Sequence, residues 1–383
     1  MSGKNKNVLI VYPYIPHYRV PIFNEIGAAK DGLRYHLLYS NNTIEKSIKS
    51  NVDSLSCSSE RILGFSLGVF LLQWIPLTYF GNKKPDAVIF LGNPYYLSTW
   101  IYAIIYRYIL GKKIVFWTHG WLDHEFGIKA WVRKVFYSIA DVLFLYGNRA
   151  KSLGVRAGFS GQSMTVVYNS LDFEKHNARY FEIKNNLAEE SRLLPFGIQE
   201  CEIFFCCVAR ITSMCRFDIA VRALARIKDL TGKNYKLVLI GSGPEAETLE
   251  NLSAEFGVSL FFLGETYDEA IISRLLYFSR AIVSPGKAGL TVMHGLTYGT
   301  PVISHKRWKY QMPEAEAIVD GISGSLIDFD SVDAMVSAML SWINTPRSTL
   351  ERNECRRIII DCYNPKVQSE IIKGALFGLI KLR

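Results

Sequence analysis

Between Ser284 and Ser304 the chain reads SPGKAGLTVMHGLTYGTPVIS. Gly286 and Gly289 let a backbone come close to a ligand. The amides of Gly289, Leu290 and Thr291 stand where an apolar helix would begin, so they lack intrahelical acceptors and carry the positive end of the helix dipole. That is chemistry for an anion such as a phosphate. His294, four residues after Leu290 and three after Thr291, can face the same ligand, and Lys287 brings a charge close by. The stretch contains no carboxylate. Two other loops carry related chemistry. In VARITSMCRFD, Arg210 ends an apolar run, and its guanidinium fork suits a diphosphate. In LIGSGPEAETLE, Gly241 and Gly243 make a tight turn ahead of a helix start at Pro244. The full spaced-glycine dinucleotide fingerprint is missing there, so Gly241 is expected to shape the wall of the site.

These loops need strands to hold them. Short apolar runs alternate with helical patterns: NVLIVYP (7–13), RYHLLYS (34–40), DAVIFLG (86–92), KIVFWTH (113–119), DVLFLYG (141–147) and MTVVYN (164–169). A polar stretch lacking a strand, SLDFEKHNARYFEIKNNLAEESRLLPFGIQE, then reads as a linker with a helix. The alternation resumes with EIFFCCVAR (202–210), YKLVLIGSG (235–243), SLFFLGE (259–265), RAIVSP (280–285), GTPVISH (299–305) and GSLIDF (324–329). Uniformly apolar strands between helices imply parallel sheets covered on both faces. The fold class is therefore α/β, with two Rossmann-like doubly wound domains in tandem. Ligands of such sheets bind at the carboxyl ends of strands, and two units facing each other would make a cleft.

The bulk properties narrow the partners. The 383-residue chain carries a net charge of +9, and residues 1–180 alone hold 21 Lys and Arg against 11 Asp and Glu. A basic N-terminal half suggests nucleic acid, a membrane surface or an anionic substrate, with a solvated basic face as the alternative. No aromatic-basic recognition motif appears, which argues against nucleic acid. Seven cysteines at spacings that match no zinc pattern imply a reduced, cytosolic setting. The uncharged run ILGFSLGVFLLQWIPLTYFG (62–81) is long enough to span a bilayer, but Gln73, Pro76 and three glycines favour a buried or interfacial helix.

The order of these motifs resembles glycosyltransferase family 4, retaining enzymes of the GT-B fold, over essentially the whole chain. VYPYIPHYRVPIFNEI is similar to that family's opening strand, acceptor-side loop and first helix. FWTHG resembles its strand ending in a His-Gly pair, and VVYNSLD its segment ahead of the second domain. VARITSMCRFD resembles its Gly-Arg-Leu loop, GSGPEAETLE and FLGETYDEAI match their counterparts, and GLTVMHGLTYGTPVI matches the donor-binding helix and next strand. The family's donor loop carries two glutamates. Aligned on Gly289-Leu290, their places are taken by Gly286 and His294, and the family's basic loop residue aligns with Cys215, followed by Arg216.

The resemblance implies an N-terminal acceptor-binding domain (1–175), a C-terminal nucleotide-sugar-binding domain (176–365) and a last helix (366–383) returning to the first. It implies donor contacts from Arg210, Arg216, Gly241, Glu265, Gly286, Lys287, Gly289, Leu290, Thr291 and His294. Acceptor contacts fall to His17, Tyr18, Arg19, His119 and Gly120, with His119 and Arg210 as catalytic residues. The implied reaction moves a hexose-type sugar, with retention, from a nucleotide-sugar to a saccharide acceptor, lipid-linked, in bacterial surface-polysaccharide or capsule synthesis. No Asp-x-Asp cluster appears in the cleft loops, so no metal and no cofactor are expected. The basic half fits peripheral docking on the anionic inner face of the plasma membrane. The alternative is a GT-B protein that lost catalysis with its acids and serves as a nucleotide-binding scaffold.

Overall fold

The computed structural model describes residues 5–28, 32–40, 52–121, 123, 125–199, 202–345 and 348–381. The chain divides into two units, Met1–Asp172 with Asn364–Arg383, and Phe173–Tyr363.

The first unit is built on β1 (Lys6–Tyr12), β2 (Leu33–Tyr39), β3 (Ser59–Arg61), β4 (Gly64–Leu67), β5 (Phe70–Gln73), β6 (Ala87–Leu91), β7 (Lys113–Thr118), β8 (Val142–Leu145) and β9 (Met164–Val166). Its main sheet runs β3-β2-β1-β6-β7-β8-β9, with parallel pairing throughout. The two-residue period of a strand sends alternate side chains to opposite faces. Val8, Ile10 and Tyr12 join one core with Phe23, Ile26, Ile372 and Leu376. Leu9 and Val11 join the other with Tyr106, Phe116 and Phe136. The final helix, Pro365–Lys381, thus belongs to the first unit, and Gln368 fixes its start. The Gln368 amide donates to the Tyr168 carbonyl at 2.8 Å, and its oxygen accepts from the Ser170 hydroxyl at 2.8 Å.

The segment 62–81 corrects the sequence expectation of a helix. It is an antiparallel hairpin of β4 and β5, followed by a short 3-10 turn at Leu77–Tyr79. Gly68 lies in its two-residue turn at φ +59°, a conformation that glycine adopts without a Cβ penalty and that matches the twist of the flanking strands. β5 leans on the helix Leu97–Ile104, where the Gln73 backbone N–H donates to the Ser98 hydroxyl at 3.0 Å. Among the described residues, no helix is long and apolar enough to cross a membrane.

The second unit contains β10 (Phe204–Val208), β11 (Lys236–Ile240), β12 (Leu260–Gly264), β13 (Ile282–Val283), β14 (Val302–His305) and β15 (Gly324–Ile327). Its order, β12-β11-β10-β13-β14-β15, is all parallel and is the doubly wound dinucleotide-fold order. The stretch read as a linker with a helix holds two helices of this unit, Phe173–Asn185 and Leu187–Arg192. Charge holds them where apolar periodicity is weak. Arg179 binds Glu190 through two bonds of 2.7 and 2.6 Å and donates to the Ser273 hydroxyl at 3.0 Å, and Arg274 reaches the same Glu190 at 2.5 Å.

Candidate functional site

In the second sheet the strand order reverses between β10 and β13. The segments that follow them leave toward opposite faces and open a crevice at their carboxyl ends. Residues 209–216 follow β10, and residues 284–289 follow β13. The two loops are joined backbone to backbone: the Gly286 amide donates to the Cys215 carbonyl at 2.9 Å and the Lys287 amide to the Met214 carbonyl at 3.2 Å. A Cβ on Gly286 would sit 2.0 Å from the Met214 carbonyl oxygen. No side chain fits there, so the glycine that replaces the expected acid is a condition of this loop pairing. The turn at 241–243 closes the other side. Ile211 donates to the Ser242 carbonyl at 2.9 Å, and a Cβ on Gly241 or Gly243 would lie 2.1 Å from the carbonyl oxygen of Ala209 or Ile211.

The helix Leu290–Thr297 starts behind this crossing, with Gly289 as its N-cap. Its entry is held by Gln311, a residue that the sequence reading missed and that no local pattern would flag. The Gln311 side-chain oxygen accepts from the Ala288 amide at 2.9 Å, while its nitrogen donates to the Ser304 hydroxyl at 2.7 Å and the His305 carbonyl at 2.8 Å. Thr291 is buried, with its hydroxyl 3.7 Å from the Cys207 sulfur, while Leu290 is half-buried. His305, at the end of β14, is buried, and burial followed by the Arg307 charge pushes its pKa down to about 4.

The expected cations divide into two kinds. Arg210 and Lys287 are exposed, and among the described residues neither forms an ion pair. The Arg210 carbonyl accepts from the Cys215 thiol at 3.1 Å, which ties the two ends of the loop together. Arg216 sits in a left-handed conformation at φ +51°. Its guanidinium reaches both Asp218 oxygens at 3.1 Å and the Asp330 carboxylate at 2.6 Å, and these bonds raise its pKa further. Its charge is thereby spent inside the protein, and the structure does not present it as a replacement for the cation missing at Cys215. Glu265 is exposed after β12 and accepts from the Tyr267 hydroxyl at 3.2 Å.

His294 meets partners that the sequence did not suggest. Its Nε2 lies 3.3 Å from Glu269 Oε1, and the same oxygen lies 2.8 Å from His176 Nδ1 and accepts from the Tyr298 hydroxyl at 2.7 Å. The His176 and His294 rings stand edge to face at 4.8 Å. Asp268 caps the helix Glu269–Phe278 by accepting from the Ala270 amide at 2.9 Å, which sets Glu269 in the first turn. Burial opposes ionisation of Glu269, but the bonds and charges of His176 and His294 outweigh it and hold the carboxyl well below its usual range. The three groups come from three helices more than 90 residues apart at the extreme, so no spacing rule could have linked them.

In the first unit, Arg19 and His119 meet on one ring. The Arg19 guanidinium is buried, 4.8 Å from the Tyr146 ring centroid and 4.9 Å from that of Trp117. The exposed His119 ring lies 4.7 Å from Tyr146. The exposed His17 stands edge-on to half-buried Tyr18 at 5.6 Å. Gly120 has φ +75°; its amide donates to the Thr118 hydroxyl at 3.3 Å, and its carbonyl accepts from Tyr137 at 3.1 Å and Arg133 at 3.2 Å. The ends of β1, β7 and β8 thus place the predicted first-domain residues together, with Tyr146 and Trp117 as additional members.

The fold defined by these two sheets is the GT-B fold. Over 97% of its length the chain superimposes on the lipopolysaccharide outer core galactosyltransferase WaaB, apo form (TM-score 0.68, 16% identity, 99% of that chain). It also superimposes on Anabaena Alr3699/HepE in complex with UDP (TM-score 0.70, 14% identity, 97% of this chain and all of the other). A glycosyltransferase from Rickettsia africae ESF-5 is similar over the full length of both chains (TM-score 0.73, 13% identity). At the sequence level, residues 195–360 match the family model of glycosyl transferases group 1. Of the second-unit residues placed at the candidate site, that span contains all but His176. Glycogen synthase of Francisella tularensis subsp. holarctica (strain FTNF002-00 / FTA) is 30% identical over 146 residues, which is 37% of this chain and 25% of that protein. The chain therefore spans about a quarter of the length of the curated relatives it matches.

Proposed function

We propose that the protein is a glycosyltransferase. In this reading it moves a hexose-type sugar from a nucleotide-sugar donor to a saccharide acceptor with retention of anomeric configuration. One observation carries the reading: an exposed Arg210 and the start of the helix Leu290–Thr297 come from loops bonded to each other across the switch point of the second sheet. As the donor bond breaks, the sugar becomes oxocarbenium-like and the diphosphate gains charge. Fixed donors aimed at that charge lower the barrier, because they need no reorganisation during the reaction. Arg210, Lys287 and the amides of Leu290 and Thr291 supply them without a metal. His119 serves the acceptor or the transferred sugar, and a donor phosphate oxygen can accept the acceptor's proton. His17, Tyr18, Arg19 and Gly120 shape the acceptor side.

The test is a thermal-shift screen with UDP, GDP, dTDP, CMP and ADP, followed by transfer assays with the nucleotide that binds. Charge-assisted hydrogen bonds contribute about 1.5–3 kcal/mol each, so Arg210→Ala should weaken that nucleotide roughly 10–100-fold and remove its shift. An unchanged shift would count against the site. Tight nucleotide binding with no turnover on any acceptor would favour the scaffold alternative. Cys215 in a basic position and an Arg216 engaged by two aspartates are the features that favour it.

We further infer an acceptor that is lipid-linked, in surface-polysaccharide synthesis, and peripheral docking on an anionic membrane. The support is the hairpin of β4 and β5. Leu63, Leu67 and Leu77 are 70–80% exposed, and Phe65 and Trp74 are also exposed. Ile101, Tyr108 and Ile109 are exposed in the same unit, as are Lys83 and Lys84. Exposed apolar side chains together with exposed cations are what an anionic lipid surface takes. Binding to vesicles containing phosphatidylglycerol, and none to neutral vesicles at high salt, is the expected result.

A further inference from the structure

We propose that His176, Glu269 and His294 form a binding site for one divalent transition-metal ion of the zinc class. The site goes beyond the transferase reading and does not depend on it. Three observations carry it.

The donor set is right. Two imidazoles and one carboxylate are the ligands that zinc and cobalt(II) take, at about 2.0–2.2 Å from the metal, with a fourth position left for water. The spacing is also right. His176 Nδ1 is 2.8 Å and His294 Nε2 is 3.3 Å from Glu269 Oε1, and all three ligand atoms lie within 4.8 Å of one another. Ligands about 2.0–2.2 Å from a tetrahedral centre stand roughly 3.3–3.6 Å apart, so modest rotamer changes bring all three onto one ion. Third, the surroundings are built. The side chains are only 9, 16 and 14% exposed for His176, Glu269 and His294 respectively, and each is anchored on a separate helix. The Tyr298 hydroxyl donates to Glu269 at 2.7 Å, the outer partner that orients a ligating carboxylate.

Without metal, one carboxylate oxygen serves both imidazoles and the phenol. With metal, the ligating nitrogens present lone pairs, and each neutral imidazole carries its proton on the other nitrogen. The ion would tie the helices Phe173–Asn185 and Glu269–Phe278 to the helix Leu290–Thr297, whose start forms the candidate anion site.

The test uses tag-free full-length protein stripped with a chelator and titrated with cobalt(II) chloride, then with zinc chloride. One equivalent of cobalt should bind, give visible ligand-field bands without thiolate charge transfer, and be displaced by zinc, with the melting temperature rising. Glu269→Gln and His294→Gln, checked for native circular dichroism, should each lose the bands and bind at least ~100-fold more weakly, and Tyr298→Phe should keep the stoichiometry and lose roughly tenfold in affinity. No bound cobalt in the wild-type protein would overturn the proposal, and so would thiolate bands or equal binding by the two Gln variants. None of these readouts involves a sugar nucleotide, so failure here leaves the transferase reading standing, and the reverse also holds.

Discussion

At the scale of single residues, glycines decide more than the charged groups. Gly286 looked like an acid replaced by nothing. In the structure it is the point where two loop backbones meet, with space for no Cβ. Gly286→Ala should therefore cost about 2 kcal/mol or more and lower the melting temperature by several degrees. A variant that melts like the wild type would mean the loops are not joined this way. Chemical denaturation of Gly286→Ala beside Gly289→Ala checks the point, because a Cβ at Gly289 meets only the Met312 side chain, at 3.4 Å. The role of Gly286 was hidden because its partners, Met214 and Cys215, are 72 and 71 residues away in sequence. The position of Arg210 in the loop after β10 was legible, since it closely follows an apolar strand. Arg216 was not, because Asp330 lies in another loop altogether.

Elements show where sequence pattern and structure part. The parallel strands were readable, because a strand buried on both faces must be apolar along its whole length. The run at 62–81 is apolar for another reason: it forms a hairpin with an outer side that, among the described residues, is left exposed. Length and composition pointed to a helix, and only Gly68 at the turn signalled otherwise. If this hairpin docks on lipid, Phe65→Glu with Leu67→Glu should abolish vesicle binding. Each lost side chain removes about 1.5–3 kcal/mol of burial, and the exposed positions make folding insensitive to the change. Sedimentation with anionic vesicles, and circular dichroism of the double variant, measure both outcomes. The helices Phe173–Asn185 and Leu187–Arg192 erred the other way. Their polar look suggested a linker with one helix, whereas the Arg179–Glu190–Arg274 network binds two helices into the second unit.

At the scale of the whole molecule, stability should depend on acid in two windows, and burial lowers His36 of the first unit in the same direction as His305 of the second. His305 has a folded value of about 4 against an ordinary 6.5. The unfolded chain therefore takes up a proton first, and stability falls as pH drops from about 6.5 toward about 4. Above that range the contribution is constant. Glu269 is held below its ordinary value of 4.5, so its stabilisation is present above that pH and is lost as the carboxyl protonates below it. Urea unfolding of the wild type between pH 7 and pH 4 should show a steady loss, and His305→Asn should flatten the upper part of it. An identical pH slope in the variant would remove His305 as the cause.

The sequence by itself determined two α/β units and the succession of their apolar strands along the chain. Those features follow from local periodicity and from glycine and proline placement, which act within a few residues of chain. Only the tertiary structure decided which charges remain available, why position 286 must be glycine, and that His294 stands with His176, Glu269 and Tyr298. These depend on groups brought together from distant parts of the chain, and a contact across that distance leaves no periodic trace in a single sequence.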